Sequence, residues 1–136
     1  MQNPAPALSG KSSTGLDENI AALLTYILGW VSGLVFFLIE KDSKLVRFHA
    51  MQSILLSVLV LIVCIVGWIV TGVLVLILAQ LADVMGALAG LVATLIWLII
   101  GAVFLIAVIM CLVKAYQGQF FKLPIIGNVA EKIVNK

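Results

Sequence analysis

Between Arg47 and Lys114 the chain carries one formally charged side chain, Asp83, and one histidine, His49. So long an apolar stretch cannot be the core of a water-soluble domain, because a chain of 136 residues with 10% charged and 64% hydrophobic side chains has too little polar surface to cover it. With a mean hydropathy of +1.29, the sequence has to reside in a bilayer. Its charge gathers at Asp17 and Glu18, from Glu40 to Arg47, and from Lys114 to Lys136, and these clusters mark the water boundaries.

Asp83, with Gln80 before it and Gly86 after it, divides the apolar stretch. The 35 residues 48–82 are too many for one perpendicular crossing and too few for two crossings of about 20 residues each plus a turn. One long helix, about 48–79, is the economical reading, followed by a second over about 86–113. Upstream, residues 19–39 are free of charge and reach about 31 Å as a helix, close to the hydrocarbon thickness. The sequence therefore predicts an all-α polytopic membrane protein with three transmembrane helices in a membrane domain over 17–115. A disordered Pro/Ser/Gly-rich tail at 1–16 precedes it, and a cytoplasmic tail with a short amphipathic surface helix at 116–136 follows. The first span is expected to be retained, because Asp17 and Glu18 precede it and a charged segment follows.

Orientation follows from the basic residues. With three crossings, Lys41, Lys44, Arg47, Lys114, Lys122, Lys132 and Lys136 share one side and Lys11 lies on the other. Basic loops stay cytoplasmic, so the expectation is a multi-pass protein of the inner (cytoplasmic) membrane with its N-terminus outside and its C-terminus cytoplasmic.

On an ideal helix His49, Gln52, Ser53 and Ser57 fall on one face, continued by Cys64, Gly67 and Thr71. In the first span Ala22, Thr25, Tyr26, Gly29 and Gly33 share a face, and in the third Gly86, Gly90, Ala93, Thr94, Trp97 and Gly101 do. Small residues let helix backbones approach where lipid and protein are equally apolar, which assigns helix packing to Gly29, Gly33, Gly67, Gly86, Gly90 and Gly101. Trp30, Trp68 and Trp97 fall near mid-span, so their indole N–H groups are expected to turn into the seams toward Ser32, Thr71, Thr94 or backbone carbonyls.

The chemistry-bearing residues are few. One histidine, with neither cysteine near it in sequence, makes no metal set, and no nucleophile–base pair, phosphate-binding glycine loop or paired intramembrane carboxylates occur. The expectation is a non-enzyme with no catalytic residue, cofactor or metal. Cys64 and Cys111 are read as reduced, packing thiols. A net charge of +2, placed at the membrane boundaries, argues against a nucleic-acid partner.

Gly118 should end the last span, and Pro124 and Gly127 delay helix resumption until about Asn128. Leu123, Ile125 and Ile126 are too apolar for water, while His49, Gln52 and Ser53 need polar partners where their helix enters the membrane. The turn at 123–127 is therefore expected to dock on that face, making Phe48, His49, Gln52, Ser53, Leu123, Pro124, Ile126 and Gly127 the candidate interaction motif.

The motif FHAMQ at 48–52, after a first span ending in Glu40 and Lys41, and the motif KLPIIGNVAEK at 122–132 carry a resemblance. The chain resembles the small prokaryotic membrane family of unknown function related to the plastid inner-envelope Tic import component, and it is similar to MamF-type magnetosome membrane proteins. The resemblance spans about 16–134 and implies an integral helical membrane protein; the plastid relatives have four spans, where this chain has room for three. The combined expectation is a membrane interaction or scaffold component that self-associates or binds partner membrane proteins within the lipid bilayer. The alternative is a subunit of an oligomeric transporter or channel, including a protein-translocation component.

Overall fold

The computed structural model describes residues 10–136, whose elements are helical apart from one isolated bridge between Lys11 and Asp17. In chain order the helices are α1 (Glu18–Leu24), α2 (Trp30–Ile39), α3 (Lys44–Leu81), α4 (Asp83–Tyr116) and α5 (Ile126–Val134). Two of them, α3 with 38 residues and α4 with 34, are long and apolar enough to cross a membrane. Their β-branched residues favour strands in water, but in lipid every N–H and C=O has to be paired within the segment, so the helix wins. Only Ala82 separates α3 from α4, with its N–H donating to Leu78 O at 3.4 Å and its carbonyl accepting from Gly86 N at 3.2 Å. Asp83 sits in the first turn of α4 and Lys114 in the last, each complementing the helix dipole at its end.

The first apolar segment differs from expectation. The single helix predicted over 19–39 is broken into α1, seven residues, and α2, ten residues, by an elbow at 25–29. Around this elbow the i→i−4 ladder gives way to three-residue turns, with Thr25 N on Ala22 O, Tyr26 N on Leu23 O and Ile27 N on Leu24 O. Gly29 then reverses the chain at φ +58, a conformation that a side chain disfavours. Hydropathy records none of this, because every residue of the elbow is apolar or neutral.

Two further boundaries shift. Residues 10–16, expected within a disordered tail, close a turn in which Ser12 N donates to Leu16 O and Gly15 N to Ser12 O; the first nine residues of that tail lie outside the described residues. α5 starts at Ile126 rather than near Asn128. Gly118, at φ +69, ends α4 by letting Gln119 N reach Lys114 O at 2.9 Å and Gly118 N reach Ala115 O at 3.0 Å.

The chain divides into two units, Met1–Val58 with Ala107–Lys136 and Leu59–Ile106. The first holds the packed core: Ala21, Ala22, Tyr26, Leu45, Val46, Phe48, Leu56, Cys111, Leu123 and Ala130 are buried there. The second is the central part of α3 paired with that of α4. Gly67 in it lies under the Trp97 ring, where a Cβ would stand 2.7 Å from ring carbons, and Gly86 lies against Ala79 at the same distance. Trp68 and Trp97 stack with centroids 5.1 Å apart, and the Trp97 indole N–H donates to Thr71 Oγ1 at 3.4 Å. Trp97 thus turns into the seam, whereas Trp68 and Trp30, 64% and 57% exposed, face outward, contrary to expectation. The packing roles expected of Gly90 and Gly101 are not found within the chain, since a Cβ on either would meet only open space.

Candidate functional site

The first three turns of α3 carry His49, Gln52 and Ser53, polar side chains that the sequence places on one face, and in the structure they are interior. His49, Gln52 and Ser53 are at most 1% exposed. His49 and Gln52 both bond Tyr26 and the segment after α4, whereas Ser53 bonds the elbow, and the atoms that can only accept fix the directions of the bonds.

The carbonyl of Gln119 accepts and cannot donate, so His49 Nε2, 2.8 Å away, bears the ring hydrogen. In the neutral ring Nδ1 is then an acceptor, and the Tyr26 hydroxyl 2.9 Å away donates to it. Having given its hydrogen to His49, the Tyr26 oxygen accepts from Gln52 Nε2 at 3.1 Å. That amide nitrogen also donates to Phe121 O at 3.0 Å and lies 3.5 Å from Cys111 Sγ, while Gln52 Oε1 accepts from Leu123 N at 3.2 Å. The result is one directed chain of hydrogen bonds from the backbone at Leu123 through Gln52, Tyr26 and His49 to the backbone at Gln119. It ties together the elbow after α1, the start of α3, the end of α4 and the tail.

Ser53 takes a different direction from the one expected. Its Oγ donates to Gly29 O at 3.0 Å, supplying a partner to the broken backbone of the elbow. Ser32 does the same from α2: its Oγ donates to Thr25 O at 2.9 Å and accepts from Leu28 N at 3.1 Å. Gly33 brings α2 against α3 so closely that a Cβ would stand 2.9 Å from Ala50 O.

The two motif segments therefore meet, although not through every predicted residue. Gln52 holds Leu123, and Gly127 fits where a Cβ would come 2.5 Å from Lys122 Cα and 2.9 Å from Gln52 Oε1. His49 meets Gln119 rather than the 123–127 turn. Phe48 packs edge-on against His49 and Phe120, with centroids 5.2 and 5.5 Å away. Pro124 is exposed and Ile126 half-buried, beside Ile125, which is 78% exposed at φ +66 in a tight turn closed by Ile126 N on Pro124 O at 2.7 Å.

A second anchor went unforeseen. Glu40 is fully buried at the end of α2, and its carboxylate accepts from Ser13 N at 3.0 Å, Asp42 N at 3.1 Å and Ser43 N at 2.9 Å, with Ser13 Oγ 2.7 Å from Oε1. Burial alone would raise its pKa; the donors from Ser43, Ser13 and Asp42 outweigh that and hold it below the usual carboxylate range. Arg47, which donates to Glu40 O at 2.8 Å and lies 4.6 Å over the Phe37 ring, closes the turn between α2 and α3. Part of the signal was present in the sequence, as a carboxylate ending an apolar run with Ser43 and a helix start just behind it; nothing local pointed to Ser13. At the tail, Lys122 pairs with Glu131 at 2.6 Å and lowers the pKa of that carboxyl.

In chemical terms the cluster is a brace. Among the described residues no group of three His, Cys, Asp or Glu side chains could hold a metal, and both cysteines are free thiols. Tyr26, His49, Gln52 and Ser53 all spend their polar atoms on one another or on the backbone.

The family described as the magnetosome magnetite crystal formation protein family, MamF/MmsF, matches residues 16–130. A UPF0132 membrane protein of Methanocaldococcus jannaschii is 38% identical over 129 residues, covering 90% of this chain and 94% of the relative. A UPF0132 membrane protein of Archaeoglobus fulgidus is 33% identical over 117 residues, covering 86% and 95%. No solved structure matches. The matched region takes in both α3–α4 and the polar brace, and the chain is a member of the MamF/MmsF family of small helical membrane proteins.

Proposed function

We propose that the protein is a non-enzymatic interaction or scaffold component of the cytoplasmic membrane, working by association with itself or with other membrane proteins. The observation that carries this reading is the saturation of the polar cluster. His49, Gln52, Tyr26 and Ser53, the chain's concentration of buried polar side chains near mid-sequence, hold the fold together and leave no donor or acceptor turned toward a substrate. What the molecule offers outward is apolar helix surface with small residues in it. Between residues 68 and 98, α3 and α4 leave an open groove of about 530 Å³ beside Gly72, Gly90, Ala93 and Thr94, a shape that admits a neighbouring helix. The basic residues at the ends of the long helices support a cytoplasmic C-terminus.

The rival reading, a transporter or channel subunit, has to supply an aqueous path, and residues 48–81 and 84–113 hold no charged side chain to line one. Two differently tagged copies co-expressed in one membrane should co-purify in mild detergent. Protein-dependent solute flux across liposomes, with no co-purification of the second tag, would replace this reading with the transport one.

A further inference from the structure

We propose that residues 17–40 are a re-entrant hairpin that enters and leaves the membrane at one end, so that the chain crosses the bilayer twice and its two terminal segments lie on the same face. The proposal rests on membrane residence, which the family supplies, and does not depend on self-association.

The contacts at the two ends of the hairpin place both beside the start of α3 and the end of α4. On the way in, Asn19 Nδ2 donates to the carbonyl of Tyr116, the last residue of α4, at 3.1 Å. On the way out, Arg47 and Ser43 at the start of α3 bond Glu40. Most directly, Ser13 N donates to the Glu40 carboxylate at 3.0 Å, joining the segment before the hairpin to the hairpin's last residue. From Ser13 to Glu18, where α1 begins, the chain extends at most about 18 Å, and the Lys11–Asp17 bridge folds even that short link back. A helix that crossed the hydrocarbon core would separate its ends by about 30 Å. The link cannot make up the difference.

The depth of the apex agrees. The deepest partners of the elbow on α3 are Ser53, which bonds Gly29 O, and Ser57, whose Oγ would lie 3.2 Å from a Cβ on Gly29. Ser57 stands about 20 Å along α3 from Lys44, and about 14 Å from Phe48 where the charge-free run begins, so the apex reaches roughly the middle of the bilayer. Broken backbone is tolerated at such depth only when protein supplies its hydrogen bonds, and Ser32 and Ser53 supply them. On the outer side of the hairpin Leu28, Trp30, Val31, Leu34, Val35 and Leu38 are exposed, an apolar surface suited to the acyl chains of one leaflet. Lys11 now joins the other seven basic residues, so all eight lie on one face and the opposite face holds the Ala82 turn with Asp83. This removes the exception that a three-crossing chain leaves to the rule for basic loops.

Cysteines introduced one at a time at Thr14, Ala82 and Asn135, labelled with a membrane-impermeant maleimide in right-side-out and inverted vesicles, test the arrangement, with the native chain and its Cys64 and Cys111 as the labelling baseline. Thr14→Cys and Asn135→Cys should label from the same side, and Ala82→Cys from the other; Leu16→Cys repeats the first position should Thr14→Cys express poorly. Labelling of either N-terminal position from the side that exposes Ala82→Cys would overturn the hairpin and restore a crossing, whatever the co-purification of tagged copies reports.

Discussion

Gln52 shows at the scale of one residue what the brace demands. Its amide serves Tyr26, Phe121 and Leu123 together, so Gln52→Leu strands the half-buried Phe121 carbonyl and the buried Leu123 N–H, at about 1–3 kcal/mol for a buried group left unpaired and less for a half-buried one. Thermal unfolding in detergent should show a clear loss for Gln52→Leu and a partial one for Gln52→Glu, which keeps the acceptor for Leu123 N. Glu40 supplies the pH-dependent counterpart. Its pKa is lowered in the fold, so its contribution is fully present above the usual value of 4.5 and is lost as the pH falls through the folded value. The stability gap between the native chain and Glu40→Gln should therefore be largest near neutral pH and narrow below about 4.5. A gap that does not change with pH would show that the carboxylate charge is not what holds Ser13.

At the scale of elements, the glycines separate contact from vacancy. Gly33 and Gly67 have no room for a Cβ, facing Ala50 O at 2.9 Å and the Trp97 ring at 2.7 Å, whereas Gly72 and Gly90 face open space. Gly33→Leu and Gly67→Leu should lower the unfolding temperature of the monomer. Gly72→Leu and Gly90→Leu should leave it level or raise it slightly, since leucine is the better helix former by about 0.5–1 kcal/mol. Helical periodicity put Gly33, Gly67 and Gly90 alike on seams, because a period reports the face of a helix and not whether a neighbour lies opposite. The same reasoning found α3, α4 and the meeting of Gln52 with Leu123, all of which follow from hydropathy and from unpaired polar groups that need partners. It missed the elbow. Thr25 and Tyr26 read as members of one packing face of a continuous span, and the bonds from Ser32 and Ser53 that support the break are set by the folded chain.

At the scale of the whole molecule, the directed hydrogen-bond chain makes the tail part of the membrane fold rather than an appendage. Residues 119–123 provide the acceptor for His49 and an acceptor and a donor for Gln52, and Leu123 itself is buried. Ending the chain after Tyr116 removes all of these partners at once, leaving His49 Nε2 and Gln52 Oε1 without partners in a low-dielectric interior. Truncation and Gln52→Leu should each destabilise the protein, and because they remove the same bonds their effects should not add. In the truncated chain Gln52→Leu should cost much less than in the full-length one, with a coupling of about 0.5–3 kcal/mol, the range for residues in one network. Unfolding temperatures of the four proteins in the cycle provide the measurement. Strict additivity would mean that the tail lies on the surface without bearing on α3, and it would remove the brace from the account of how this fold is held.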